Sequence, residues 1–330
     1  MSSEPETPPK TPFVRVPAVA GVVFSGAPSA VVIGNFDGVH RGHVALLEDA
    51  RVLAARDGLA LTVLTFDPHP SAVVGREPPP RLTTLDRRAV LLRDVGVARV
   101  VVRTFDESFA RSTPEAFARS LLAETLRARR VIVGENFRFG HKRAGDFAEL
   151  RRLGESLGFE ASVARIASDA TGPFSSTRAR SALTVGDLAE ATHVLGRSHG
   201  ISGVVVHGDA RGRTLGFPTA NLGHVPELVP PNGVYAATVS TLEAGVPARL
   251  AGGVMNVGVR PTIGGNAERR IEVHLLDFEG DLYGRNLFVT LEGRVRDERK
   301  FDGLDALKAG IAADVVQARG ILAAVPENVP

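Results

Sequence analysis

Gly34-Asn35-Phe36-Asp37-Gly38-Val39-His40-Arg41-Gly42-His43 follows directly on the apolar run 30–33 and precedes a stretch with helical spacing. A strand that breaks into a glycine-bearing turn and opens a helix aims backbone N–H groups and the positive end of the helix dipole at one spot. Two imidazoles, His40 and His43, add donors to that spot. The stretch predicts a strand-turn-helix unit that can hold a nucleotide's phosphates.

The flanking sequence repeats this alternation. Strand patterns at 30–36, 61–66, 99–105, 130–133 and 160–166 are separated by helix patterns at 43–56, 85–95, 114–126 and 145–157. Thr113 followed by Pro114 is a good helix start, an N-cap with proline at the first helical position. Such alternation predicts a parallel sheet covered on both faces, with ligands at the carboxyl ends of its strands. After about residue 198 the pattern changes to short strands punctuated by glycine and proline, at 201–206, 234–239, 250–257, 271–278 and 287–295. These predict an antiparallel barrel or sandwich. A last amphipathic segment, 304–322, places Leu304, Leu307, Ile311, Val315 and Ile321 on the helical face expected to cover it. The segment 178–195 reads as a helical connector.

Composition narrows the class. In 330 residues, 39 basic side chains nearly balance 37 acidic ones, so charge does not point to nucleic acid. No cysteine is present, which excludes disulfides, thiolate metal sites and a cysteine nucleophile, and suits a reducing compartment. Residues 1–12 are acidic and proline-rich, with no basic-then-apolar leader. No stretch reaches the roughly 18 apolar residues of a membrane span. The expectation is a cytoplasmic protein without membrane or nucleic-acid partners, monomeric or weakly self-associating.

Further motifs fall at strand ends. Phe66-Asp67-Pro68-His69-Pro70 closes one strand, its prolines fixing a loop that carries Asp67 and His69. Gly134-Glu135-Asn136-Phe137-Arg138-Phe139-Gly140 follows another and can pin a ring and a phosphate together. Ser175-Ser176-Thr177-Arg178-Ala179-Arg180 puts hydroxyls at a helix start, and arginines in a first turn call for a counter-anion such as phosphate. In the second half, Gly208-Asp209-Ala210-Arg211-Gly212-Arg213 can offer N–H groups to phosphate. In an extended segment Thr219 and Asn221 share one face, and their oxygens suit Mg²⁺ bound together with substrate phosphates. Alternation through 270–278 separates Glu272 and His274 from Ile271, Val273 and Leu275. Glu272 can then take the proton that an alcohol must lose on phosphorylation.

G-N-F-D-G-V-H-R-G-H, F-D-P-H-P, G-E-N-F-R-F-G, S-S-T-R-A-R and G-F-P-T-A-N, in this order, resemble the bacterial bifunctional riboflavin kinase/FAD synthetase family over residues 15–325. The resemblance implies an α/β plus all-β chain: a Rossmann-like nucleotidyltransferase domain (15–186), then an antiparallel β-barrel kinase domain (187–330) with a C-terminal helix. It implies that riboflavin and ATP give FMN in the second domain, and FMN and ATP give FAD and pyrophosphate in the first. His40 and His43 would stabilise the transferring phosphate. Gly34, Asn35, Phe36, Asp37, Gly38, Ser176, Thr177 and Arg180 would surround ATP, and Asp67, Asn136, Phe137 and Arg138 the flavin. In the second domain Gly208, Arg211, Gly212 and Arg213 would bind phosphate, Thr219 and Asn221 would hold Mg²⁺, and Glu272 would be the base. No tightly bound prosthetic group is implied. Asn136 stands where the family often has aspartate. Transfer to another phosphorylated acceptor, and a flavin-binding regulator without catalysis, are the competing readings. No K-M-S-K-S segment supports a tRNA synthetase.

Overall fold

Valine and isoleucine recur through 29–33, 99–104 and 128–133, and branching at Cβ suits strands covered on both faces. In the computed structural model, which describes residues 13–16, 27–208, 216–261 and 267–325, these runs form a six-stranded parallel sheet. Its strands are β1 (Val14–Val16), β2 (Ser29–Ile33), β3 (Ala60–Asp67), β4 (Arg99–Thr104), β5 (Ala128–Val133) and β6 (Glu160–Val163), ordered β1-β4-β3-β2-β5-β6. The helices between them are α1 (Arg41–Arg56), α2 (Pro70–Val73), α3 (Leu85–Asp94), α4 (Glu107–Ala110), α5 (Pro114–Ala116) and α6 (Phe147–Leu157). One face packs Ala30, Val32, Val63 and Val100 with Leu47 of α1 and Leu92 of α3. The other packs Val31, Leu64, Val101 and Val131 with Leu122 and, from α6, Leu150. Strand order reverses between β2 and β5, the place where such sheets open a crevice at their carboxyl ends.

Three local departures have physical causes. β2 ends at Ile33 rather than 36, because Phe36 and Val39 adopt positive φ around Gly38. The helix expected at 114–126 starts on a Thr113 cap and passes at Phe117 into a π-helical turn, Phe117–Thr125. β1, too short for periodicity to signal, adds a parallel edge to β4.

The chain divides into two compact units, Met1–Pro79 with Leu85–Phe174, and Pro80–Thr84 with Ser175–Pro330. A small pair, β7 (Ser168–Asp169) and β8 (Gly172–Pro173), precedes the second stretch. The expected single connector helix is two, α7 (Ser176–Val185) and α8 (Leu188–Leu195), broken where Gly186 turns left-handed and Asp187 caps the next helix. Beyond it, β9 (Gly200–Val206), β10 (Ala220–Gly223), β11 (Gly233–Glu243), β12 (Val246–Pro261), β13 (Ala267–Leu275) and β14 (Asn286–Arg296) close an antiparallel barrel, ordered β10-β13-β12-β11-β14-β9. Ile201, Tyr235, Met255, Val273 and Val289 fill its interior. Among the described residues of the barrel, register shifts occur only in ladders of β11, with β12 at Val239/Ser240 and with β14 at Val234/Tyr235 and Ala236/Ala237.

The last helix, α9 (Leu304–Ala323), covers part of the barrel with Val315 and Ile321 of the expected face, but its most buried line runs beside them. Gly310, Asp314 and Ala318 are its buried residues, with Val315, Ile321 and Leu322 beside them, while Leu304 is exposed. The reason is polar: Asp314 accepts two hydrogen bonds from Arg296, both at 2.7 Å, which turns its side of the helix inward.

Candidate active sites

Buried strain shapes the loop after β2. Phe36 and Val39 hold φ of 51° and 40°, a conformation costing on the order of 1–3 kcal/mol for such residues. Their near-complete burial holds the turn in place. Asp37 faces inward, its carboxylate 3.2 Å from Nη2 of Arg88, with both side chains less than a tenth exposed. Arg88 also donates to the Asn35 carbonyl at 2.9 Å, and the Thr65 hydroxyl donates to it at 3.1 Å. The Asn35 side-chain amide lies 2.9 Å from Nε2 of His69, tying this loop to the one after β3. The Gly34 N–H donates to the Leu64 carbonyl.

His40 caps α1. Its Nδ1 accepts the His43 N–H at 3.3 Å, so in the neutral ring the proton sits on Nε2. The two imidazoles stack with centroids 3.6 Å apart, and Phe36 lies 4.8 Å from His43. Gly42 makes room for this: a Cβ there would stand 2.7 Å from the Phe174 carbonyl oxygen and 3.1 Å from the His40 ring.

After β3, the Asp67 carboxylate pairs with Arg15 of β1 at 3.1 Å. After β5, Asn136 and Arg138 are exposed, Arg138 donates to the Phe137 carbonyl at 3.0 Å, and Phe137 stacks on Phe139 at 5.4 Å. Phe139 continues through Phe117 and Phe109 to Phe66, at 5.3, 6.0 and 6.2 Å, an aromatic line packed into the core. Arg103 is buried against it, 4.2 Å from the Phe109 ring, and burial pulls its pKa below the ordinary arginine value. The loops after β3, β2 and β5 thus share the carboxyl rim of three adjacent strands. Those segments carry His40, His43, the 34–38 loop, Asp67, Asn136, Phe137 and Arg138. Arg15, Arg103, Phe109 and Phe117 lie in no motif, and only the folded chain brings the two phenylalanines between Phe66 and Phe139.

Ser176, Thr177 and Arg180 lie on α7, in the second unit. Ser175 accepts the Arg178 N–H at 3.1 Å, Arg178 pairs with Glu190 at 2.5 Å, and Arg180 donates to the Pro80 carbonyl at 2.7 Å. For Arg178 the required counter-anion is therefore a carboxylate of the protein.

In the barrel, β10 pairs with β13 so that Asn221 stands opposite Glu272. On the other side of Glu272, β12 supplies Asn256. Because Ala220, Leu222, Ile271 and Val273 fill the core, alternation puts Asn221, Glu272 and Asn256 on the outer face as one row. Arg270 Nη1 lies 3.4 Å from Glu272 Oε1. Gly208 abuts Asn221, where a Cβ would fall 2.3 Å from the amide nitrogen. A cavity of about 420 Å³ is lined by Pro218, Thr219, Ala220, Phe278, Asp281 and Tyr283, among others. Tyr283 stacks on His207 at 4.0 Å. Asn256 and the 278–283 wall were not legible in the sequence, since only register and closure place them. Arg211, Gly212 and Arg213 lie outside the described residues.

Among the described residues no cluster of three or more His, Asp or Glu side chains could hold a metal alone. A Thr219 hydroxyl and an Asn221 amide oxygen form an incomplete hard-donor set, which suits a cation whose other ligands are phosphate oxygens and water. Among the same residues no helix is long and apolar enough to cross a membrane.

Comparison with known proteins agrees with both halves. Residues 25–178 match the FAD synthetase family model, and residues 195–322 the riboflavin kinase model. The bifunctional riboflavin kinase/FMN adenylyltransferase of Escherichia coli K12 is 42% identical over 290 residues, 88% of this chain and 91% of that one. The Bacillus subtilis 168 protein of the same description is 35% identical over 302 residues, 88% and 92% of the two chains. A crystal structure described as a macrolide-efflux protein from Streptococcus pneumoniae superposes with TM-score 0.80 at 31% identity, covering 93% of this chain and 99% of that one. The chain belongs to the bifunctional riboflavin kinase/FMN adenylyltransferase family and is an enzyme with both activities, the adenylyltransferase region preceding the kinase region.

Proposed function

We propose that the two reactions are carried out by the residues described above, within functional domains 15–186 and 187–330. The observation that carries the kinase assignment is the register that sets Asn221 opposite Glu272, because it joins a hard oxygen ligand and a carboxylate base on one face. Riboflavin must lose the proton of its terminal ribityl hydroxyl, and Glu272 accepts it as the oxygen attacks the γ-phosphorus of ATP, releasing ADP. Thr219 and Asn221 hold Mg²⁺, which supplies charge neutralisation at the phosphates. Gly208 leaves room at Asn221, and Arg211, Gly212 and Arg213 hold the phosphates.

In the first domain the FMN phosphate is already an anion, so its oxygen attacks the α-phosphorus of ATP without a base, and pyrophosphate leaves. The task is charge stabilisation and alignment. His40 and His43, stacked at the start of α1, serve it. Asn35 and Asp37 act through the shape of their loop, since Asp37 is committed to Arg88. Asp67, Asn136, Phe137 and Arg138 bind FMN.

No metal or nucleic-acid partner beyond Mg²⁺ enters this reading, which also holds the enzyme to be cytoplasmic, monomeric or weakly associating. Incubation with riboflavin, excess ATP and Mg²⁺ tests it: FMN rises first and FAD follows. A Glu272→Gln protein that still makes FMN at the native rate would sink the kinase assignment.

A further inference from the structure

β13 presents Glu272 and His274 on one face, and His274 makes contacts of a different kind. Its Nδ1 lies 2.8 Å from the Pro218 carbonyl oxygen. A carbonyl only accepts, so Nδ1 carries the proton and donates it. The same ring meets Phe217 edge to face, centroids 5.5 Å apart at 85°. Phe217 and Pro218 lead directly into Thr219, and Thr219 lies outside the β10–β13 ladder, whose pairing begins at Ala220 with Val273. Main-chain pairing therefore holds Asn221 against Glu272 but leaves Thr219 to side-chain support. The Pro218–Thr219 peptide is planar, so fixing its carbonyl fixes the plane and with it the direction in which Thr219 leaves the turn.

We propose that His274 is a positioning residue of the kinase: it extends the β10–β13 register by one residue through its side chain, holding the Thr219 hydroxyl at a set distance from Asn221. The inference rests on the reading of Thr219 and Asn221 as Mg²⁺ ligands. The full-length enzyme tests it at one fixed pH, by following FMN formation against Mg²⁺ concentration and, separately, FAD formation from supplied FMN. His274→Ala is expected to raise the Mg²⁺ needed for half-maximal FMN formation by roughly 10-fold or more, as loss of a ligand-orienting partner does. FAD formation should be unchanged. His274→Asn, whose amide can donate to the same carbonyl, should recover most of the loss, and serves as the informative variant if the alanine protein folds poorly. The double variant His274→Ala/Thr219→Ala should be no worse than Thr219→Ala alone. An unchanged Mg²⁺ requirement in His274→Ala, with a raised one in Thr219→Ala, overturns the proposal; so does additivity of the two. An unchanged requirement in Thr219→Ala removes the metal-ligand reading and the proposal with it.

Discussion

A carboxylate and a guanidinium buried side by side behave as one unit, and removing one charge strands the other. Asp37→Ala should therefore destabilise the first unit by about 3–5 kcal/mol, read as a lower denaturation midpoint, with FAD synthesis lost before FMN synthesis. This residue shows the limit of motif reading. G-N-F-D-G marks Asp37 as part of a phosphate loop, but whether its side chain faces the ligand or the core depends on Arg88, 51 residues further on. Glu227 is a second case. It is almost fully buried, and its carboxylate accepts the Ser202 N–H at 2.9 Å and the Ser202 hydroxyl at 2.8 Å. Burial outweighs these bonds and raises its pKa. The folded state thus binds a proton more tightly than the unfolded chain, so this contribution to stability is complete below the unfolded pKa and fades as pH rises through the folded one. Melting of Glu227→Gln and the native protein from pH 4 to 8 should show the variant gaining on the native protein as pH rises.

At the scale of elements, the sheet strands were legible because apolar runs alternate with helical spacing, and the strand-helix joint at His40 because its turn is written in glycine and histidine. What stayed hidden depends on partners far away in sequence. Three residues in β1 have no period to read, yet Arg15 on it reaches Asp67. In the last helix Val315 and Ile321 meet the barrel as their spacing suggests, but Leu304 is exposed and Arg296 on β14 draws Asp314 inward, which apolar spacing does not signal. Arg296 keeps 19% of its side-chain exposure, so Asp314→Ala should cost somewhat less than a fully buried pair, about 2–3 kcal/mol. Melting of the second unit should fall by roughly 5–10 °C. Asp314→Ala/Arg296→Met should recover part of that loss, because no unpaired charge remains.

For the whole molecule, two reactions in one chain share an intermediate: FMN leaves one site as product and enters the other as substrate. Glu272→Gln should make FAD from FMN but not from riboflavin, and His43→Ala should stop at FMN. Mixing the two proteins with riboflavin, ATP and Mg²⁺ should restore FAD, with a lag that shortens as protein concentration rises; continued absence of FAD would mean that one substitution had disabled both sites. The barrel adds a consequence of its own. In a closed ring every strand's offset depends on all the others, so a residue gained or lost anywhere must be absorbed somewhere. Among the described residues, the register shifts of this ring gather on β11, while the β10–β13 and β12–β13 ladders run without interruption. β11 works as an expansion joint: length changes on its side of the barrel can be taken up as altered bulges, leaving the spacing of Asn221, Glu272 and Asn256 untouched. A one-residue insertion within β13 would have no such outlet and would turn Glu272 to the opposite face of the barrel.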